Sequence, residues 1–299
     1  AAHVPGVTAH HDALTQFFAK QILGMMAPAN WLASNPVVLR DAMETHGAHL
    51  LKGAQNWLTD VSGVPNPEVT SLPNRFVVGR DVATTPGKVV YRNRLIELIR
   101  YEPQTAKVHP EPVFMIPSWI MKFYILDLSP HNSMARYLVG QGHTVYMLSW
   151  RNPDASDARL TMDDYLHMGV MDALEVIGQQ SGKGVPVHAM GYCLGGTLLT
   201  IAAAAMARTG GVAGTRNLPS LKTLTLLAAQ TDFSEPGELG LFIDESQIGL
   251  LDNITRGQGY LSGKQMAGSF QFLHSRDLIW TRRMREYLMG EREQPNDLM

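Results

Sequence analysis

One cysteine in 299 residues is the first constraint this chain imposes. It excludes an internal disulfide and any zinc site built on several thiolates, and a free thiol suits a reducing compartment, so the cytoplasm is the expected location. Charge is scarce too, with Asp, Glu, Lys and Arg forming 17% of the residues and a formal net charge of −2. A chain without a positive field has little means of holding nucleic acid or an anionic membrane. Apolar runs of about eighteen residues are absent, so no transmembrane segment is expected and Leu198 to Ala207 reads as a core helix. The opening Ala1-Ala2-His3-Val4-Pro5 lacks the basic-then-apolar order of a secretory signal. What is present is 45% hydrophobic residues, enough for one large core with a small appendage.

Residues 1–70 carry only helical signals and are read as a separate module. Thr15, Phe17, Phe18, Ile22 and Leu23 belong to one helix. Asn35-Pro36 opens a second helix, in which Leu39, Met43, Leu50, Ala54 and Trp57 form an apolar stripe. The stripe predicts docking on the main domain, another chain or an apolar surface. From Lys88 the texture changes. Lys88–Tyr91 and Leu95–Tyr101 read as antiparallel first strands, Val113–Ile116 and Thr144–Trp150 as buried strands, and Pro130–Val139 as a helix. Thr161-Met162-Asp163-Asp164 resembles a capping box opening a helix to about Gln179. Strand Val185–Met190, a helix from Thr197, and strand Leu221–Leu227 complete an alternation that predicts an α/β fold with a mostly parallel sheet over 71–232. Beyond Asp232 the alternation stops, and glycines break short helical pieces, a pattern expected of a cap over 233–299.

The chemistry is concentrated in Gly191-Tyr192-Cys193-Leu194-Gly195-Gly196, which places the single cysteine between a predicted strand and a predicted helix. That context is the nucleophile elbow of α/β-hydrolases with cysteine in place of serine. Gly191 and Gly195 leave room where a side chain would strike the neighbouring strand or helix. Cys193 would face a helix N-terminus, where unsatisfied N–H groups favour an anion. A lone cysteine is more often a small buried hydrophobe, but the complete motif with its flanks favours a nucleophile. Leu194 N–H, directly after the nucleophile, is the expected first oxyanion donor, and the loop after Ile116 should supply the second, at Ile120. No metal is expected. His10 and His11 are adjacent on a helix and point apart, His188 reads as a core imidazole, and His143 as a turn residue.

Four segments together resemble the polyhydroxyalkanoate synthases that work on short hydroxyacyl-CoA monomers. They are Gly79 to Gly87, Lys122 to Leu128, Gly142 to Val145 with Ser149 to Asp154, and Gly191 to Thr197. The resemblance implies an acyltransferase joining (R)-3-hydroxyacyl groups from coenzyme A thioesters into polyester through a covalent Cys193 acyl-enzyme, with release of coenzyme A. It implies an α/β-hydrolase core under a cap, a Cys-His-Asp triad, no cofactor beyond the thioester substrate, and a homodimer in the cytoplasm at the polyester granule surface. Members often carry Asn where this chain has Met121.

The resemblance breaks after the cap. In this fold the order is nucleophile, acid, base, with acid and base following late strands. Here the one histidine after Cys193 is His274, in a cap-like setting with no strand before it, which leaves it a base candidate of poor context. Asp232, beyond the last predicted strand, is the acid candidate, although a carboxylate there commonly closes a turn. The expectation is a nucleophile without its full triad, the late strands lying outside this sequence. Two other functions fit the same residues: a thioesterase or hydrolase in which water replaces the hydroxyl acceptor, and a catalytically incomplete fragment acting in dimerisation or granule binding.

Overall fold

Strands alternating with helices produce the sheet that the sequence predicts. The structure, a computed structural model, describes residues 6–62, 76–120, 122–208, 217–263, 265, 266, 268 and 276–291. The chain divides into two compact units, one of residues 1–73, 235–253 and 264–299, the other of residues 74–234 and 254–263.

The larger unit is built on a six-stranded sheet in the order β1-β2-β6-β3-β7-β8. Its strands are β1 (Gly87–Arg92), β2 (Ile96–Tyr101), β3 (Val113–Ile116), β6 (Val145–Trp150), β7 (Val187–Tyr192) and β8 (Leu221–Leu227). β1, β2 and β6 pair antiparallel, whereas β6, β3, β7 and β8 run parallel to one another. The central strands are the most apolar. All four residues of β3 are buried, as are Val145 to Leu148 of β6, which is how a strand covered on both faces reads. On one side the sheet packs against a π-helical turn Tyr165–Met171, which follows the short α5 (Met162–Asp164), and against α6 (Asp172–Ser181) and α7 (Leu194–Ala207), through Leu166, Val170, Leu174, Ile177, Leu198 and Leu199. On the other, Ala135 and Val139 of α4 (Met134–Gly140) meet Met115 and Met147. The Thr161 capping box is present, both halves of it, with Asp164 as its acid.

Several sequence expectations are corrected here. The helix expected from Pro130 starts at Met134, because Ser133 caps it and Pro130 lies between two short strands, β4 (Asp127–Ser129) and β5 (Asn132–Ser133). β8 forms over the expected residues, Leu221–Leu227, but exposes Leu224 and Leu226 at 44% and 40%. His188 is half-buried rather than core, with its Nδ1 2.7 Å from Thr223 Oγ1 on β8.

A buried carboxylate explains two of the segments that carry the family resemblance. Asp127 is fully buried and accepts hydrogen bonds from the Thr85 and Ser133 hydroxyls, both at 2.6 Å. Ala83, at φ 53°, donates its N–H to the Asp127 carbonyl at 2.9 Å. Gly79 to Gly87 and Lys122 to Leu128 are therefore stitched together as structure, and charge-assisted bonds of this kind are about twice as strong as neutral ones.

In the smaller unit, α1 (Ala9–Met25) is capped by Thr8, and α2 (Pro36–Glu44) by Asn35, whose Oδ1 accepts from Val37 and Val38 N–H. A cap of this type is worth about 0.5–2 kcal/mol. The expected single second helix is split: His46 and Gly47 take φ values of 53° and 77°, and α3 (Ala48–Ser62) starts afresh. The apolar stripe is not the packed face. Met43 and Trp57 are 74% and 50% exposed, while the buried residues of α3 are His49, Gly53 and Asn56. Those residues meet α9 (Arg282–Leu288), where a Cβ on Gly53 would lie 2.7 Å from the Tyr287 carbonyl carbon. Tyr287 hydroxyl donates to Asp60 at 2.9 Å, and Asn56 side chain to Glu286 carbonyl at 3.4 Å. Close backbone approach, not apolar area, selected this face. Residues 233–299, expected to form short helical pieces, include a longer helix, α8 (Glu245–Gln258). No described helix is long and apolar enough to cross a membrane.

Candidate active site

Cys193 sits where the parallel strand β7 ends and α7 begins. Its φ and ψ are 53° and −128°, and it is partly exposed. A non-glycine residue at such a φ is held there by its surroundings at a cost on the order of 1–3 kcal/mol. The surroundings are visible. Cys193 N–H donates to Leu227 carbonyl on β8 at 2.9 Å, and its own carbonyl accepts from Gly196 and Thr197 N–H at 2.8 and 3.2 Å. Two glycines make the bend sterically possible. A Cβ on Gly191 would lie 2.7 Å from Gly196 N, and one on Gly195 would lie 2.6 Å from Pro117 carbonyl oxygen and closer still to that of Ile116. Helix α7 thus starts directly on the loop that follows β3.

That loop carries the second expected oxyanion donor. Ser118 is fully buried, and Ile120 N–H is directed at its hydroxyl oxygen, 3.4 Å away. Leu194 is the first residue of α7, where helix N–H groups have no partner within the helix. Met121 lies outside the described residues.

Of the acid and base candidates, only Asp232 lies among the described residues. Asp232 is exposed, five residues past the end of β8, and its Oδ1 accepts from Ser234 N–H at 2.9 Å. Its carboxyl is held below the usual range by these contacts with Ser234. His274 lies outside the described residues. Among the described residues no group of three or more His, Cys, Asp and Glu side chains is arranged to hold a metal ion.

Sequence reasoning missed what holds the elbow. Thr197 Oγ1 donates to Gln230 carbonyl at 2.7 Å, fastening α7 to the loop that carries Asp232. Trp150 Nε1–H donates to Pro117 carbonyl at 2.8 Å, fixing the loop after β3. Both residues fall inside the segments that carry the family resemblance, but their partners are thirty or more positions away.

A strained turn that carries Cys193 between strand and helix, at the carboxyl edge of a mostly parallel sheet, is the architecture of an α/β-hydrolase. Residues 111–289 match the alpha/beta hydrolase fold family, and the chain belongs to it. Residues 1–138 match a second family, described as Poly-beta-hydroxybutyrate polymerase (PhaC) N-terminus. The chain is 37% identical to a Poly(3-hydroxyalkanoate) polymerase of Methylorubrum extorquens over 98% of its own length and 48% of that protein's. It is 38% identical to the Poly(3-hydroxyalkanoate) polymerase subunit PhaC of Cupriavidus necator over 95% of its own length and 47% of that protein's. It spans about half the length of the curated relatives it matches.

Proposed function

We propose that this chain carries the nucleophile of an acyltransferase that builds polyester from (R)-3-hydroxyacyl-CoA, with Cys193 as the covalent acyl carrier. The observation that carries the reading is the strained bend at Cys193, held between Leu227 and α7. Similarity to named polymerases along nearly the whole chain supports it.

In the first step the Cys193 thiolate attacks the thioester carbonyl. The carbonyl oxygen becomes an oxyanion, stabilised by Leu194 N–H and by Ile120 N–H, whose long contact to Ser118 is readily exchanged. Collapse breaks the bond to the coenzyme A sulfur, which leaves as a thiolate and takes up a proton. The acyl group remains on Cys193 as a thioester and so stays activated for a second transfer, which a serine ester would not. In the second step the hydroxyl of another hydroxyacyl unit attacks that thioester. A base takes the hydroxyl proton, the new ester forms, and the Cys193 thiolate is released. Asp232 and His274 are the residues of this chain proposed for acid and base. Thr197 keeps the Asp232 loop against the elbow through Gln230. The working form is a homodimer at the granule surface in the cytoplasm.

The test is incubation with 3-hydroxybutyryl-CoA while released coenzyme A thiol and the acyl product are followed together. Polymer formed with thiol release supports the reading. Free 3-hydroxybutyrate without polymer would replace it with a thioesterase, and no thiol release from the intact elbow would remove catalysis from this chain.

A further inference from the structure

We infer that Trp150 is a positioning residue for the oxyanion loop, a role that rests on the acyl-transfer reading of Cys193. Trp150 is the last residue of β6 and is 9% exposed. Its indole N–H is buried and donates to Pro117 carbonyl at 2.8 Å. That carbonyl is one of the atoms on which Gly195 lies, so a single bond ties the end of β6 to the contact between the loop and α7. Ile120, the proposed second donor, is three residues along the same loop.

The indole is itself fixed by the opposite wall. A Cβ on Gly169 would lie 2.6 Å from Trp150 Cζ3, so the π-helical turn Tyr165–Met171 has a gap shaped for the ring. Turns of this kind concentrate at functional sites. Tyr165 from the same turn packs on Trp150 with ring centroids 5.4 Å apart. Trp119, in the loop itself, meets both rings, at 6.3 Å from Trp150 and 5.4 Å from Tyr165. Aromatic pairs at these separations contribute beyond their buried area. The loop is therefore held at two points, by a hydrogen bond at Pro117 and by ring packing at Trp119, and both converge on Trp150. An indole whose one N–H is spent on that loop carbonyl acts on the donor geometry, not on the nucleophile.

This separation can be measured, because thioester acylation develops an oxyanion and alkylation by iodoacetamide does not. Trp150→Phe keeps an aromatic ring but removes the donor, and replacement by 3-benzothienylalanine, which exchanges the N–H for sulfur, deletes the donor in an almost unchanged shape. Both variants should lose about 10-fold or more in the rate of Cys193 acylation at saturating 3-hydroxybutyryl-CoA, with KM little changed, since misplacement of catalytic groups by as little as 1 Å costs up to about 10²-fold. Iodoacetamide should label Cys193 at the parental rate. Parental acylation in the benzothienyl variant overturns the inference and leaves the proposed function standing. Equal slowing of acylation and alkylation also overturns it, by showing a merely structural role. If the parent chain is not acylated by the thioester although iodoacetamide labels it, the proposed function fails and the inference fails with it.

Discussion

Adding one methyl group at Gly195 tests the elbow at its tightest point. The new carbon would lie 2.6 Å from Pro117 carbonyl oxygen and closer to that of Ile116, whereas ordinary contact begins near 3.4 Å, so α7 and the loop must part by at least about 0.8 Å. Both partners are backbone, and neither can rotate away as a flexible side chain would. Overpacking of this kind costs about 1–3 kcal/mol, which for a unit of this size lowers Tm by roughly 2–12 °C. The functional cost is larger in proportion. The displacement moves Leu194 N–H relative to Ile120 N–H, and a shift near 1 Å costs on the order of 10²-fold in rate. Gly195→Ala is therefore expected to remain folded, with a lowered Tm in thermal denaturation followed by circular dichroism, and to acylate about 10²-fold more slowly in stopped-flow thiol release. A variant with parental Tm and parental acylation rate would refute the contact geometry on which the site is built.

Three further outcomes follow from the structure. Asp127→Ala leaves the Thr85 and Ser133 hydroxyls without their buried acceptor and should destabilise the chain by about 3 kcal/mol or more in urea titration, while leaving the folded fraction able to react at Cys193. Burial, together with the neighbouring His109 and His188, holds the His143 imidazole below its usual value, and its Nδ1 is buried without a partner. The unfolded chain then binds the proton more readily, so this residue's contribution is full above about pH 6.5 and is lost as pH falls from there through the lowered folded value. Urea midpoints measured between pH 7 and 5 should decline in the parent and decline less in His143→Gln; parallel curves would contradict the assignment. Gly53→Ala would drive a methyl group into the Tyr287 backbone and should loosen the α3–α9 contact, read as faster amide exchange along both helices, with exchange in the central sheet unchanged.

How much of this could be read in advance differs by kind of contact. The elbow was legible because its motif lies within six consecutive residues, Gly191 to Gly196, and because strand and helix on either side have distinct periodicities. The parallel centre of the sheet was legible for the same reason, through the continuous apolar runs of β3 and β6. The N-terminal helices were not. A stripe at Leu39, Met43 and Trp57 looks the same whether it faces a partner or water, and the face actually used is marked by Gly53, whose value appears only when Tyr287 is placed against it. The break at His46-Gly47 was missed because a left-handed pair can be accommodated at many histidine-glycine steps without changing the flanking pattern. The supports of the site were hidden by distance along the chain: Trp150 and Thr197 each bond a backbone carbonyl thirty-three residues away, and nothing local announces it.

The account depends most on Cys193 accepting an acyl group, and intact-mass analysis after brief exposure to 3-hydroxybutyryl-CoA reads that event directly. The expected result is a mass increase of one hydroxybutyryl group, mapped to the peptide containing Cys193 and absent in Cys193→Ala. An unmodified mass under conditions where the same cysteine is alkylated by iodoacetamide would contradict it.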